Sequence, residues 1–326
     1  NAGSCCLAEV SIVIPCFNAS RFIADTLGSV LGQSRSPDEV IVIDDGSTDG
    51  SWEIVRGFGA EVRAARQENL GASAARDRGT SMATGEFIQY LDADDLLARD
   101  AIARKVAAAK ASGADVVYSD WRRFSDGERG REWGATIARD IADVNPDPEL
   151  AAFTEFWCPP AALLYRRHLV DRIGGWHPGL PVIQDARFLQ DAVMSGATLC
   201  RVPEVLAFYR EPRPGSLSQR GGLAFQRDVL INALEIEARW RERGALLPGR
   251  SAALVRCYRK MARLFFWHDA DLFRRAAVGV RHLGRPDGMG WEALAFGLTS
   301  VVGIRCARRA LAPLRRWLRW MRGEAS

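Results

Sequence analysis

The chain contains 326 residues, of which 48% are hydrophobic and 26% are charged, and its formal net charge is +4. This composition excludes wholesale disorder and collagen-like fibres, gives no reason to expect a nucleic-acid partner, and fits one large α/β domain with an extension or two modest domains. Seven cysteines without a CxxC pattern favour reduced thiols over a zinc site, and no uncharged stretch reaches the ~20 residues that span a bilayer.

The first ninety residues alternate apolar β-branched runs with segments of helical periodicity. The apolar runs predict buried strands at residues 10–15, 39–44 and 86–91. The periodic segments predict helices at residues 20–33, 51–58 and 73–84. This alternation is typical of βαβ units and predicts a mainly parallel sheet, whose ligands bind at the carboxyl ends of the strands.

The rest of the chain is predicted to continue with shorter elements and then helices. Further strands are predicted at 115–119, 162–165 and 199–209, the last interrupted by Pro203. Further helices are predicted at 100–112, at 185–195 and after Leu223, with breaks at 244–249 and 284–290. A loop is predicted at 125–131.

Three carboxylates follow the third strand, in the run Asp92-Ala-Asp94-Asp95. Carboxylates this close together repel one another unless a cation lies between them, and Mg²⁺ and Mn²⁺ prefer oxygen ligands. The run therefore indicates a divalent metal bound to a diphosphate, with capping of the next helix by Asp94 or Asp95 as the alternative. Its position directly after a buried strand favours the metal site.

Two more segments place polar residues after a strand or at the start of a helix. In the run from Asp44 to Asp49, one carboxylate is suited to accept a base N–H or a ribose hydroxyl, while Asp49 or Ser51 is expected to cap the next helix. Small residues between Asn69 and Arg76 allow a ligand to approach the backbone, and Arg76 is suited to pair with a phosphate or an aspartate. A tightly packed alanine-rich helix is an equally good interpretation of this segment.

The middle of the chain offers a candidate base and a cationic loop. Asp185 begins a predicted helix after Gly174-Gly-Trp176-His177 and is a candidate general base, although its spacing alone favours a helix cap. Arg210 and Arg213 precede a turn at Gly215-Ser216. Such a loop is suited to cover a diphosphate, and the alternative is an ordinary arginine-rich surface loop.

In combination, these motifs resemble those of family 2 glycosyltransferases with the GT-A fold, over roughly residues 9–220. The pattern comprises residues 10–15, 44–49, 69–71, 75–76, 85, 90–95, 174–176, 184–185, 209–210 and 215–216. The resemblance implies a GT-A type α/β fold, with a mainly parallel sheet flanked by helices. The helical pattern after Leu223 adds a helical C-terminal extension, which lies outside the resemblance. The resemblance also implies a nucleotide-sugar donor, a Mn²⁺ or Mg²⁺ cofactor and transfer of the sugar to an acceptor hydroxyl, usually with inversion.

On the family pattern, individual residues acquire expected roles. Asp185 is the catalytic base, Asp94 is the direct metal ligand, and Asp92 helps to hold the ribose and the metal. Donor binding is expected of Pro15, Phe17, Asn18, Asp45, Arg76, Asp92, Arg210, Arg213 and Ser216. The chain is accordingly divided into a nucleotide-sugar-binding half at 9–118, an acceptor-binding half with the base at 119–222, and a helical extension at 223–326.

The expected function is a metal-dependent, inverting glycosyltransferase of cell-surface polysaccharide synthesis, with a UDP-sugar favoured as donor and a glycan or glycolipid as acceptor. The chain departs from the family pattern at Gln184, where a glutamate is usual, and this changes the electrostatic setting of the base. The alternative is therefore a catalytically silent sugar-nucleotide-binding or scaffold protein. A Rossmann oxidoreductase or methyltransferase, and a nucleotidylyltransferase, are disfavoured because no glycine-rich turn follows the first strand.

The end of the chain has a basic amphipathic pattern over residues 304–322, which Pro313 interrupts. Apolar residues at helical spacing are accompanied by seven arginines and by Trp317 and Trp320. Such a helix suits an anionic membrane surface, and the alternative is a helix packed on its own domain with the arginines in solvent. We expect a cytoplasmic protein, attached to the inner membrane face under the first interpretation.

Overall fold

A computed structural model describes residues 8–211, 222–283, 297, 299 and 303–312. The chain divides into two compact units, residues 1–219 and 220–326. Arg213 and Ser216, predicted to bind the donor, lie outside the described residues, as do Pro313, Trp317 and Trp320. The three functional parts predicted at 9–118, 119–222 and 223–326 stay predictions.

In the described part of the first unit, nine strands form one sheet. The strands are β1 (Val10–Cys16), β2 (Glu39–Asp44), β3 (Arg63–Arg66), β4 (Phe87–Tyr90), β5 (Leu96–Leu97), β6 (Val116–Gly127), β7 (Gly130–Ile137), β8 (Leu163–Arg166) and β9 (Leu199–Arg210). The helices are α1 (Ile23–Leu31), α2 (Ser51–Gly57), α3 (Ala72–Met82), α4 (Ala101–Ser112), α5 (Ile141–Val144), α6 (Pro148–Thr154), α7 (Arg167–Ile173) and α8 (Gln184–Met194). The order across the sheet is β3-β2-β1-β4-β8-β6-β9-β5, and β7 pairs with β6.

The apolar β-branched runs account for the central strands. β1 is buried along its whole length and pairs in parallel with β2 and β4, while β2 pairs in parallel with β3. Strands buried on both faces are typical of sheets covered by helices on both sides, and their sequences are continuous apolar runs. Because these strands run in one direction, the loops after Cys16, Asp44 and Tyr90 meet at one edge of the sheet. The predicted α/β class with a mainly parallel sheet is confirmed.

Two predicted details of the first unit were wrong. Residues 125–131, predicted as a loop, belong to the antiparallel hairpin of β6 and β7. β7 is exposed along nearly all of its length and therefore has no apolar signature. β9 continues through Pro203, because this proline falls at a register shift between β6 and β9, where the hydrogen-bond ladder is already interrupted.

The second unit is helical in its described residues. Its helices are α9 (Leu223–Glu242), α10 (Pro248–His268) and α11 (Ala270–His282), and residues 303–312 are also helical. Large side chains from all three numbered helices, Trp240, Tyr258 and Phe273, have no solvent exposure and form the core of this unit. Within the described ranges, no helix combines the length and the apolar character needed to cross a membrane.

The helical residues 303–312 show which face of the predicted basic helix is covered. Ala307 and Leu311 are buried, whereas Arg305 and Arg309 are exposed. Arg308 Nε donates a hydrogen bond to the carbonyl oxygen of Phe266. For this part of the stretch the apolar side therefore packs within the unit, and the part after residue 312 lies outside the described residues.

A lysine is buried inside the first unit. Lys105 of α4 has no solvent exposure, and its Nζ donates hydrogen bonds to Gln89 Oε1 and, at 2.8 Å, to the carbonyl oxygen of Ala161. Burial lowers the pKa of Lys105 to about 7. The unfolded chain, with a lysine pKa near ~10.4, therefore binds more protons than the folded chain between these two values.

This lysine is expected to make folding stability depend on pH. The free energy of unfolding should rise by about 1.4 kcal/mol for each pH unit above ~7, because only the unfolded state still holds the proton there. Chemical denaturation of wild type and Lys105→Met at about pH 7 and about pH 9 measures the contribution, which the variant should lack. Lys110→Met, at an exposed position of the same helix, is the control and should keep the slope. An unchanged slope in Lys105→Met would contradict the prediction.

Candidate active site

The loops after β1 and β2 are joined by hydrogen bonds. Asn18 has φ 49°, a left-handed conformation that asparagine adopts more readily than most residues. Its Oδ1 accepts the N–H of Thr48 at 2.8 Å, and its own N–H donates to Ser47 Oγ at 2.9 Å. Pro15 is buried at the end of β1, whereas Phe17 is 49% exposed. The predicted donor residues of this loop thus leave one aromatic ring open to solvent.

Asp45, the first residue after β2, is buried and fixes the loop that precedes α3. Its Oδ1 accepts the N–H of Leu70 at 2.9 Å and the Nε2 of Gln67 at 2.7 Å. Its Oδ2 accepts the N–H of Gly71 at 2.8 Å. Asp45 therefore shapes this loop, and its predicted contact with the base of a nucleotide stays a prediction.

The position that precedes the next helix, α2 (Ser51–Gly57), is occupied by Gly50, so the expectation that Asp49 or Ser51 caps this helix is wrong. Asp49 Oδ1 accepts the N–H of Ser51 at 3.1 Å, and Ser51 is the first residue of α2. Asp49 Oδ2 accepts the N–H of Ser20 at 3.0 Å, which adds a third hydrogen bond to the two that join the loops after β1 and β2. This edge of the site is therefore held by side-chain to backbone hydrogen bonds.

Arg76 of α3 and Asp92, which follows β4, form an ion pair. Arg76 Nη2 donates to Asp92 Oδ1, and the guanidinium carbon lies 4.4 Å from the centroid of the Trp176 ring. Arg76 is 3% exposed, and its Nε and Nη1 are buried without a hydrogen-bond partner. Because nearly all buried N–H groups have partners, these two donors indicate a place for an anionic ligand, and guanidinium groups bind phosphates well.

Arg210, the last residue of β9, connects the carboxylate run to the β6–β7 hairpin. Its N–H donates to Asp95 Oδ1 at 2.8 Å, its Nε to the carbonyl oxygen of Asp94 at 2.7 Å, and its Nη1 to Asp126 Oδ1. Its Nη2 is buried without a partner, as is Asp95 Oδ2. Burial raises the pKa of Asp95, and the charges of Asp94 and Asp92 raise it further.

The alternative of a helix cap for Asp94 or Asp95 is wrong. The next helix, α4, begins at Ala101, and Asp100 is its N-terminal flanking residue. Asp95 is instead 1% exposed and bound to Arg210, while Asp94 stays partly exposed. The carboxylate run is thus a separate loop, which lies at the same edge of the sheet as Asp45.

Asp185 is the second residue of α8, and the position that precedes this helix is occupied by Ile183. The expectation that Asp185 caps the helix is therefore wrong. Its Oδ2 accepts the indole N–H of Trp157 at 2.8 Å. Burial raises the pKa of Asp185, and the charge of Asp92 adds to this, whereas the Trp157 hydrogen bond and the charge of Arg76 lower it. A carboxylate with a raised pKa is a stronger base toward a hydroxyl proton.

Gln184 connects the start of α8 to α3. Its Oε1 accepts Ser73 Oγ at 2.6 Å, and its Nε2 donates to the carbonyl oxygen of Pro181 at 3.1 Å. Ser73 and Arg76 lie about one turn apart on α3, so this contact brings Asp185 toward the Arg76–Asp92 ion pair. An ionised glutamate, which the family pattern has at this position, has no N–H to donate to Pro181. The structure therefore uses both the oxygen and the nitrogen of the Gln184 amide.

The carboxylates fit a cation that is shared with a ligand. Among residues 8–211, 222–283 and 303–312, no group of three or more His, Cys, Asp and Glu side chains is arranged to hold a metal ion. Asp92 and Asp94 are both partly exposed on one loop, and the unpartnered Oδ2 of Asp95 follows them. Mg²⁺ commonly binds to one or two carboxylates and completes its shell with water and phosphate oxygens. The donor set suits that arrangement and not a closed protein cage.

Two residues of this arrangement were not predicted from the sequence. Trp157 lies 28 residues before its partner Asp185, and Asp126 lies 84 residues before Arg210. Neither belongs to a local motif, and the order of the strands in the sheet decides both contacts. The chain contains ten tryptophans, and this number is a weak sequence signal that one of them, such as Trp157, lies beside the site.

The Trp157 hydrogen bond leads to a prediction on the pH dependence of turnover. Trp157→Phe removes the N–H that stabilises ionised Asp185, so the pKa of Asp185 rises further and the acidic limb of the rate profile moves to higher pH. The rate falls as pH drops through this pKa, because only the ionised carboxylate accepts a proton. A pH profile of kcat measures the shift, and Trp121→Phe, at a neighbouring ring, should leave the limb in place. Coincident profiles for wild type and Trp157→Phe would be evidence against Asp185 as the titrating group.

Comparison with known proteins agrees with this geometry. The family model for glycosyl transferase family 2 matches residues 11–174, which is half of the chain. The chain belongs to glycosyl transferase family 2. The family resemblance recognised in the motifs is therefore confirmed, and the match includes β1 to β4, the carboxylate run and Arg76.

Individual relatives cover the chain to different extents. The uncharacterized glycosyltransferase EpsJ of Bacillus subtilis is 29% identical over 222 residues, which are 64% of this chain and 63% of EpsJ. The chain spans about half the length of the curated relatives it matches.

Solved structures show the same fold. The structure of S. aureus TarS 1–349 in complex with UDP-GlcNAc covers 84% of this chain and 90% of its own, with a TM-score of 0.57 and 18% identity. The mannosyltransferase PcManGT from Pyrobaculum calidifontis in complex with GDP-Man and Mn²⁺ covers 92% and 83%, with a TM-score of 0.57 and 21% identity. The predicted GT-A fold of this family 2 chain is thereby confirmed.

Proposed function

We propose that this family 2 chain is an inverting glycosyltransferase, which moves a sugar from a nucleoside-diphosphate donor to an acceptor hydroxyl. One observation carries the proposal. Asp185 is bound to Trp157, and its neighbour Gln184 is bound to Ser73, which lies about one turn from Arg76 on α3. Asp185 therefore lies toward the Arg76–Asp92 ion pair, where two N–H groups of Arg76 are buried without a partner in the protein. A base for the acceptor and donors for a leaving diphosphate thus occur in one site.

The proposed reaction is a single displacement. Asp185 takes the proton of the acceptor hydroxyl while the oxygen forms a bond to the anomeric carbon of the donor sugar. The bond from this carbon to the diphosphate breaks, and the diphosphate leaves with the electron pair. Attack from the side opposite the leaving group inverts the anomeric configuration. Arg76 and Arg210, each with an unpartnered buried N–H, stabilise the charge that develops on the diphosphate.

The donor is proposed to bind across the loops after β1, β2 and β4. Stacking of a base on exposed Phe17 and contacts to Pro15, Asn18 and Asp45 would hold the nucleoside, and Asp92 would contact the ribose. Structural neighbours in complex with UDP-GlcNAc and with GDP-Man support a sugar nucleotide as donor, and a UDP-sugar stays our first choice. Arg213 and Ser216 complete the proposed set from outside the described residues.

A divalent cation is proposed as cofactor, with Asp94 as its direct ligand and Asp92 beside it. When bound, Mn²⁺ or Mg²⁺ supplies positive charge that stabilises the leaving diphosphate. The complex of PcManGT with Mn²⁺ supports this choice of cofactor. The remaining ligands would be oxygens of the donor and water, in keeping with the small number of protein carboxylates in the loop.

We propose that the acceptor is a glycan or lipid-linked glycan of cell-surface polysaccharide synthesis. We also propose that the chain binds an anionic membrane surface, where it would meet this acceptor. The distribution of charge supports the membrane partner. Residues 1–219 contain 23 basic and 31 acidic side chains, whereas residues 220–326 contain 21 and 9. Sedimentation with phosphatidylglycerol vesicles should carry the chain down at low salt and release it at high salt, because such attraction is screened. Equal sedimentation with neutral vesicles would reject this partner.

The donor site is tested by calorimetric titration of UDP, GDP and dTDP, with and without Mn²⁺, on wild type and Asp94→Ala. One nucleotide should bind in a Mn²⁺-dependent way to wild type and lose that dependence in Asp94→Ala. Asp100→Ala, at an exposed aspartate between β5 and α4, is the control and should bind as wild type does. Failure of all three nucleotides to bind the folded wild type would reject the proposed function.

A further inference from the structure

Three aromatic side chains, Trp121, Trp157 and Tyr209, meet edge to face and are named here the aromatic cluster. The ring centroids are 5.4 Å apart for Trp121 and Trp157, 5.6 Å for Trp121 and Tyr209, and 5.5 Å for Trp157 and Tyr209. Trp121 is buried, whereas Trp157 and Tyr209 are partly exposed. Because Trp157 also donates to Asp185, the aromatic cluster borders the proposed base directly.

Two charged side chains contact the aromatic cluster, Arg123 at Trp121 and Asp185 at Trp157. Arg123 stands opposite Tyr209 in the β6–β9 ladder, and its guanidinium carbon lies 5.9 Å from the centroid of the Trp121 ring. Arg123 Nε is buried without a hydrogen-bond partner. The Asp185 carboxylate adjoins Trp157. The aromatic rings thus offer apolar contact between a hydrogen-bond donor and a hydrogen-bond acceptor.

We propose that the aromatic cluster binds the acceptor as a saccharide, with one pyranose ring packed on Trp157 and Tyr209. A pyranose ring presents C–H groups on its faces and hydroxyl groups at its rim. Its faces therefore match the aromatic rings, and its rim matches Arg123 and Asp185. A hydrocarbon chain in the same place would bury the unpartnered N–H of Arg123 and the carboxylate of Asp185 without compensation.

This inference rests on the proposed function, because Asp185 as the base defines where the reacting hydroxyl must lie. A hydroxyl on a ring packed against Trp157 comes next to the carboxylate to which Trp157 is bound. The aromatic cluster would then hold the acceptor in a productive orientation and keep water from part of the site. Beyond the glycan acceptor already proposed, the inference assigns Tyr209 and Trp157 to the recognition of one of its sugar rings.

The test uses methyl glycosides of glucose, galactose and N-acetylglucosamine as probes and n-octanol as the apolar comparison. Saturation-transfer NMR on the full chain should show at least one glycoside receiving magnetisation at its ring C–H groups, without competition from n-octanol. Tyr209→Leu should weaken that binding about tenfold, since it keeps an apolar side chain but removes the ring, whereas Tyr209→Phe should retain it. Trp133→Leu, which removes an exposed ring in contact with Phe124 and Phe208, is the control and should bind normally.

Nucleotide titration of the same variants separates the two proposals. Tyr209→Leu should bind nucleotide as wild type does while its glycoside binding falls. If no nucleotide binds to wild type but glycosides still do, the proposed function fails and the carbohydrate site stands. No glycoside binding to wild type, equal binding to Tyr209→Leu, or displacement of the glycoside by n-octanol would overturn the inference.

Discussion

Asp185→Asn is expected to lower turnover by about 10² to 10⁴-fold while leaving nucleotide affinity unchanged. The asparagine has nearly the same size, and its carbonyl oxygen can still accept the Trp157 N–H. It cannot take a proton from an acceptor hydroxyl, so the displacement loses its base. Release of nucleoside diphosphate in the presence of acceptor measures turnover, and calorimetry measures affinity.

A matched substitution in the same helix provides the control. Asp191 pairs with Arg187 at 3.0 Å, both within α8, so Asp191→Asn alters the charge of the helix without touching the proposed base. It should keep turnover close to that of wild type. Equal rates in the two variants would mean that another group accepts the proton. Nucleotide binding without turnover in wild type would favour the sugar-nucleotide-binding alternative.

Arg76→Gln is expected to lower kcat/KM by about 10² to 10³-fold, the usual effect of removing one donor that stabilises transition-state charge. The substitution removes the ion pair with Asp92, the contact with Trp176 and the two N–H groups that have no partner in the protein. It also leaves the carboxylates of this edge with less positive charge beside them. Steady-state kinetics and calorimetry with the cognate nucleotide measure both effects.

Arg78→Gln is the control for this variant, because Arg78 lies in the same helix but is exposed and donates to the carbonyl oxygen of Arg66. It should behave as wild type does. Arg76→Lys should restore little activity, since a lysine supplies a point charge and not the planar set of donors. Similar kinetics for Arg76→Gln and Arg78→Gln would remove Arg76 from the proposed site.

The central sheet was predictable because its strands are buried on both faces. The apolar run of β1 and the motifs that follow β1, β2 and β4 are local signals, and they identify the edge at which the candidate residues meet. β7 was not predictable in the same way, since its exposed face carries no hydrophobic pattern. The prediction that Pro203 interrupts its strand failed because the proline lies at a register shift between β6 and β9, and the pairing of two distant strands is not visible in the local sequence.

The contacts within the site depend on tertiary structure that no motif records. The family pattern identifies Asp185, but the partner that stabilises its ionised form comes from a loop 28 residues earlier. Likewise, the sequence shows only that Gln184 replaces the glutamate of the family pattern, which predicts the loss of a negative charge. The structure shows an amide that accepts from Ser73 and donates to Pro181, a pair of bonds that requires both ends of glutamine.

The burial of Lys105 has a practical consequence for chemistry performed on the folded protein. The chain contains three lysines, Lys105, Lys110 and Lys260. Acylating reagents need an amine that they can reach, and Lys105 has no exposed surface, whereas Lys110 and Lys260 are exposed. Among side-chain amines, each compact unit therefore offers a single attachment point, Lys110 in the first and Lys260 in the second. Fluorophores or cross-linkers placed there would report on the two units separately, without any engineered cysteine.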